Sequence, residues 1–167
     1  MKPKKKQKKS NFYKSPTQLF DKSVIDFKHK NSNLVCYTDG SGDNMDKSLP
    51  IEFSFVIYEN NSVIHKNKNI CKDKENTTVK AEILGINMCL AFLIAENLKN
   101  EKITIFSDAK WVVDWVCNKL TWESKNTEAH YYKAYLDVRR LIPQFRDIEF
   151  IWIPRDYNTV ADGMLRY

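Results

Sequence analysis

An α/β domain on a five-stranded mixed sheet, three strands antiparallel and the others parallel, with helices flanking it, is what this chain predicts. Three observations lead there. Leu34-Val35-Cys36-Tyr37-Thr38-Asp39-Gly40-Ser41 runs through β-branched and aromatic residues and stops on a carboxylate followed by Gly-Ser, as a buried strand would that delivers Asp39 to an open sheet edge. Ile103-Thr104-Ile105-Phe106-Ser107-Asp108 repeats that form. Between the two lies a long segment of helical periodicity, so strand, helix and strand form a right-handed crossover and the strands run parallel. Neighbouring strands of this kind hold two carboxylates side by side, and like charges that close need a cation or a shared proton.

Taken in order, the domain begins near Asn33, after the breaker residues Asn31-Ser32-Asn33. Following Ser41, the polar loop from Gly42 to Ser48 leads past Pro50 into a strand, Phe53 to Tyr58. Glu59-Asn60-Asn61-Ser62 turns the chain into Val63-Ile64-His65-Lys66, because Asn-Asn tolerates the positive φ of a tight hairpin. Asn76-Thr77-Thr78 offers helix N-caps, and Ile83, Ile86, Leu90, Leu93 and Ile94 carry the apolar face of a helix from Val79 to Leu98 with Glu82 in its first turn. A helix from Ala109 to about Leu120 follows the second acid-ended strand, then a helix from Glu128 to Leu141 stopped by Pro143. Ile148 to Ile153 is the fifth strand, closed by Pro154, and Asn158 caps a last short helix that contains Asp162.

Composition bounds the class. With 167 residues and 43% hydrophobic content the chain can bury one sizeable core. We read residues 34–167 as one domain, with no run of about 18 apolar residues that would span a membrane. The four cysteines are dispersed and no His stands at metal-ligand spacing, which points to reduced, mostly buried thiols in a cytoplasmic or nuclear protein. The net charge of +6 is unevenly placed: residues 1–33 hold ten Lys against Asp21 and Asp26, leaving the rest of the chain slightly acidic. Residues 1–33 read as a disordered basic leader and linker, the lysine run serving as a solubilising tail, a nuclear-import signal or a phosphate-binding arm.

The acids Asp39, Glu82, Asp108 and Asp162 fall at element ends. The words Thr38-Asp39-Gly40-Ser41, Ala81-Glu82-Ile83, Ser107-Asp108 and Asn158-Thr159-Val160-Ala161-Asp162, in that order on those elements, resemble the type 1 ribonuclease H family over residues 34–165. The resemblance implies a ribonuclease H-like fold and a monomeric endonuclease that cuts the RNA strand of RNA/DNA hybrids. It also implies two Mg²⁺ or Mn²⁺ ions: hydrolysis of a phosphodiester needs a hydroxide at neutral pH and charge stabilisation on the leaving oxygen, and a metal pair supplies both. Oxygen ligation suits those hard cations, and the lack of clustered His and Cys argues against zinc. In the family pattern Asp39 bridges both ions, Asp162 completes the water-activating site, and Glu82 and Asp108 the leaving-group site.

Departures from the pattern carry their own expectations. Where many members have a His after the last strand, this chain reads Pro154-Arg155-Asp156-Tyr157, so it resembles the branch with a short Pro-Arg loop, in which Arg155 meets the scissile phosphate. His65 and His130 read as surface residues. Substrate contacts are expected from Gly40, Ser41, Thr77, Thr78, Lys80, Lys110 and Trp122, and from Lys4, Lys5, Lys6, Lys8 and Lys9 of the leader, where relatives use Asn pairs, a basic protrusion or separate hybrid-binding extensions. A proofreading exonuclease of related fold would read Asp-x-Glu at the first strand. A noncatalytic nucleic-acid binder would gain nothing from four clustered negative charges.

Overall fold

In the computed structural model, which describes residues 19–117 and 131–165, the sheet has the strand order β3-β2-β1-β4-β5. The strands are β1 (Leu34–Ser41), β2 (Ile51–Glu59), β3 (Ser62–Cys71), β4 (Lys102–Ser107) and β5 (Asp147–Trp152). β1 pairs antiparallel with β2 and parallel with β4, and β4 continues parallel to β5. The expected hairpin is present, with Asn60 and Asn61 at φ 49° and 62°. The helices are α1 (Ser23–Asn31), α2 (Thr78–Ala95), α3 (Lys110–Val116), α4 (Tyr132–Leu141) and α5 (Thr159–Leu165), with a 3-10 turn at Arg155–Tyr157. Trp122, His130 and the leader lysines lie outside the described residues.

Both faces of the sheet are covered, which explains why β1 reads as a continuous apolar run rather than an alternation. Leu34 and Cys36 belong to a core shared with Ile83, Ile86 and Leu90 of α2 and with residues of α3 and α4, whereas Val35 and Tyr37 join Phe106, Ile153 and Ala161 in a second cluster. α2 is long and apolar enough to cross a membrane by length and composition alone, although Lys80 and Glu82 interrupt its apolar run. Half of it is buried inside the domain, where it packs on β1 and β2 as a core helix. β3 is the outer strand on its side and is mostly exposed along its length.

Two sequence expectations are corrected here. The segment ahead of β1 is not simply a linker: Ser23–Asn31 is helical, and Phe20 and Ile25 pack on the second cluster. Lys28 pairs with Glu149, which also accepts the Thr104 hydroxyl at 2.8 Å, and the His29 Nε2 lies 2.9 Å from the Tyr37 hydroxyl. These few apolar and polar anchors are spread too widely to register as periodicity. His65, in turn, is half-buried, its ring stacked 3.8 Å from that of Phe92 beneath α2. All four cysteines are free, Cys36 and Cys89 buried, Cys71 and Cys117 partly so.

Candidate active site

The site is built by a close approach of α2 to the end of β1. A Cβ on Gly40 would stand 2.3 Å from the Ala81 carbonyl carbon and from the Glu82 nitrogen, and one on Gly85 would stand 2.9 Å from the Asp39 carbonyl oxygen. Two missing side chains thus let the helix lie directly on the strand, which brings Glu82 beside Asp39. Thr77 begins α2 by accepting the Lys80 backbone N–H, the usual service of a Thr N-cap. β4, parallel to β1 and in register Thr38 with Ser107, carries Asp108 to the same edge.

Asp39, Glu82 and Asp108 each offer an oxygen within 4.8 Å of the others. Asp39 is 5% exposed and Glu82 8%. Burial and the neighbouring Asp108 push the Asp39 carboxyl up to about 7, against a contact from the Gly40 N–H at 2.9 Å that favours the charged form. Burial, then Asp39 and Asp108, raise Glu82 well above the usual range. Asp108 is also raised by burial, although Arg155 opposes the shift. Three carboxylates packed so closely strain their own ionisation, the state that a bound cation relieves. Glu82 Oε2 is buried with no hydrogen-bond partner, and an all-oxygen donor set with such an orphaned atom fits a hard divalent ion.

Asp162 flanks this triad from α5. Its Oδ1 stands 3.4 Å from Arg155 Nη2, and its charge acts on Asp39 and on Asp108. What fixes α5 there is Asn158, fully buried, whose Nδ2–H donates to the Thr38 carbonyl at 2.9 Å, next to Asp39. Sequence reading took Asn158 for a helix cap only. It missed two further residues: Trp152, whose indole N–H donates to the Asp108 carbonyl at 3.0 Å, and Trp111, 41% exposed, which lines the cleft beside the acids. That cleft, of about 350 Å³, is bounded also by Asn44, Thr78, Val79 and Arg155. Trp111 stands three residues past Asp108, in the first turn of α3.

Several residues expected at the substrate have structural partners within the domain. Gly40 is the point of close approach. Thr78 lines the cleft, but its hydroxyl donates to the Gly42 carbonyl at 3.0 Å and its N–H to Asn44 Oδ1. Lys80 is turned inward, 9% exposed, with its ammonium 3.6 Å from Asp73 and 3.5 Å from Asn76 Oδ1, so it is not displayed to a duplex. Ser41 is exposed at the strand end, and Lys110 is exposed while pairing with Asp114 at 2.8 Å.

A mixed sheet of this order, with acids gathered where two adjacent parallel strands end, defines the ribonuclease H-like class. The chain belongs to the reverse transcriptase-like family, whose model matches residues 38–165. Among solved structures it is similar to the N-terminal RNase H domain of a Mycobacterium tuberculosis protein, with TM-score 0.66 and 23% identity over 80% of this chain and 90% of that one. It is also similar to RNase H1 of Halobacterium salinarum (TM-score 0.65, 16% identity, 78% and 92% covered). A third similarity is to LC11-RNase H1 in complex with an RNA/DNA hybrid (TM-score 0.65, 18% identity, 78% and 91% covered). No curated protein matches the sequence.

Proposed function

We propose that this chain is a divalent-metal-dependent endonuclease that hydrolyses the RNA strand of RNA/DNA hybrids. The observation that carries the reading is the convergence of Asp39, Glu82 and Asp108 on one point with Glu82 Oε2 buried and unpartnered. A structural role gains nothing from three crowded acids whose ionisation the fold itself opposes. Asp39, Glu82 and Asp108 would hold Mg²⁺ or Mn²⁺, with Asp162 completing a second position. When bound, such ions supply a hydroxide at neutral pH and neutralise charge on the departing oxygen. The chain's own contribution is positional. Asn158 holds the Asp162 helix against β1, and Arg155, 74% exposed in its side chain, reaches out from the cleft wall to meet a phosphate. Trp111 presents a ring edge or face against which a sugar can rest.

The test is cleavage of a labelled RNA/DNA hybrid with Mg²⁺, beside matched duplex DNA and duplex RNA. Hybrid-specific scission of the RNA strand, lost with EDTA, is the expected result. Tight binding to hybrid without scission in either Mg²⁺ or Mn²⁺ would establish instead a noncatalytic binder of the same fold.

A further inference from the structure

The face of the sheet turned away from α2 carries a trough that the carboxylate chemistry does not use. Its floor is Val56 of β2, one wall is Val63, Lys66 and Lys68 of β3, and the other is Val160, Gly163 and Met164 of α5, around about 600 Å³. The register of the outer strands explains the first wall. Lys66 pairs with Val56 and Lys68 with Ser54, whose hydroxyl donates to the Ala161 carbonyl of α5 at 3.0 Å. Ile57 pairs with His65 but Tyr58 with Val63, so Ile64 bulges out and Val63 joins the two lysines on the face that α5 covers. On α5, Val160, Gly163 and Met164 stand at the i, i+3 and i+4 spacing of a single stripe, while Asp162 flanks the acids. The trough therefore lies on the back of the helix that serves the site.

Among the described residues nothing covers it. Val63 is 48% exposed and Val160 38%, although the valine between them is buried. A Cβ on Gly163 would meet no atom within 4 Å, so the helical wall is open there. Both charges lining the trough are positive: Lys68 reaches Glu52 at 3.1 Å, and Lys66, exposed, pairs with no acid among the described residues. Seven Lys and no acid stand in residues 1–18 against a total of +6, so this basic spot belongs to a remainder that sums to slightly negative.

We propose that the trough docks an acidic amphipathic segment of a partner protein, its apolar side chains seated over Val56 between Val63, Val160 and Met164, and its carboxylates meeting Lys66 and Lys68. The mixed lining selects this occupant. A phosphate backbone would use the lysines but has nothing to bury against four apolar side chains. A wholly apolar segment would cover Lys66 without pairing it, and desolvating an unpaired cation opposes binding. A second copy of the chain brings the same cations to the same place. An acidic amphipathic segment satisfies both parts, as segments laid into grooves do, and the volume falls within the roughly 300–1,000 Å³ of recognised ligand sites. Because α5 stands between the trough and the acids, the segment and a nucleic acid bind together, and the contact recruits the domain without closing its cleft.

The test selects short random peptides displayed on phage against the full chain, then discards every clone that also binds the Lys66→Glu chain, which keeps the lysine-rich leader. Surviving peptides are expected to combine Asp or Glu with Leu, Ile, Phe or Trp. Followed by fluorescence anisotropy, such a peptide should bind the Lys66→Arg chain like the parent and lose at least about tenfold in affinity on Gly163→Leu, which fills the trough. Melting curves report whether that variant folds, and Val160→Asp, at an exposed position, gives the same readout should it not. Added RNA/DNA hybrid should leave the peptide bound. No clone surviving the counter-selection, survivors without acids, or affinities unmoved by both Gly163→Leu and Val160→Asp overturn the proposal. So do displacement by the hybrid, which would make the trough a nucleic-acid surface, and a dimer of the free chain that Gly163→Leu dissolves. None of these readouts requires scission, so they stand apart from the hydrolysis reading.

Discussion

Replacing Asp39 by Asn should make the metal-free protein more stable at neutral pH, and the size follows from the site. The Asp39 carboxyl moves from its ordinary 3.8 to about 7 on folding. The folded chain therefore holds this proton through a window in which the unfolded chain has released it, and stability falls as pH rises from about 4 to 7. Three pH units at about 1.4 kcal/mol each make the loss roughly 4 kcal/mol. For a chain of this size that is on the order of 10 °C in Tm. Asn cannot ionise, yet its carbonyl can still accept the Gly40 N–H, so the variant loses the slope and keeps the contact. His29, lowered chiefly by burial, works in the opposite direction up to its ordinary 6.5, but does so equally in both proteins. The assay is thermal melting in EDTA from pH 5 to 8, parent beside variant, repeated with Mg²⁺. At pH 8 the variant should melt higher in EDTA, and Mg²⁺ should raise the parent and not the variant. Parallel pH profiles, or a variant that melts lower at pH 8, would refute the claim that burial and charge crowding strain this carboxylate.

Other expectations follow from the same geometry. Asp39→Asn should lower hybrid cleavage by at least about 10³-fold, measured as single-turnover rate with Mg²⁺, because the central ligand of the triad is weakened. Gly40→Ala must displace the α2 backbone and should cost more than the roughly 1–3 kcal/mol usual for overpacking, whereas Gly85→Ala should fall within that range; urea denaturation distinguishes them. Asn158→Ala removes a buried donor from the Thr38 carbonyl, so a stability loss of about 1–3 kcal/mol should accompany a fall in kcat larger than any change in KM. Arg155→Ala should lower kcat more than hybrid affinity, and an effect on affinity alone would make Arg155 a phosphate anchor only. Deleting residues 1–18 should flatten the salt dependence of hybrid binding by several units, while deleting residues 1–30 should also lower Tm, because it strips Phe20 and Ile25 from the second core cluster.

What the sequence made legible were the features written in short-range code. Strand runs that end on Asp39 and Asp108, the helical spacing that carries Glu82, and the Asn60-Asn61 turn each declare themselves within ten residues. The convergence of the triad follows once β1 and β4 are taken as parallel neighbours. Less legible were contacts made by single residues across long separations. Phe20 on Trp152, Lys28 on Glu149 and Asn158 on Thr38 have no periodicity to betray them, and each is a local choice whose partner is decided by topology. Gly40, Thr78 and Lys80, expected at the substrate, also take part in the packing and polar contacts around the acids. Residues next to a site carboxylate serve equally well to build the place where it sits, and only packing distances reveal that second use.

The exposed flank of β3 has a consequence for the protein's solution life. Among the described residues no strand pairs with the outer side of β3, an edge of ten residues on which Val63, Ile64 and Ile70 stand nearly half exposed. Such a strip is a template for intermolecular pairing. Lys66 and Lys68 interrupt it near its middle, the second tied across to Glu52 at 3.1 Å. A second copy approaching edge to edge in the antiparallel sense would bring these lysines toward one another and meet repulsion before its hydrogen bonds could form. The two cations act as gatekeepers against self-association, and exchanging them for uncharged residues would leave the carboxylate site untouched while shortening the time the protein stays in solution.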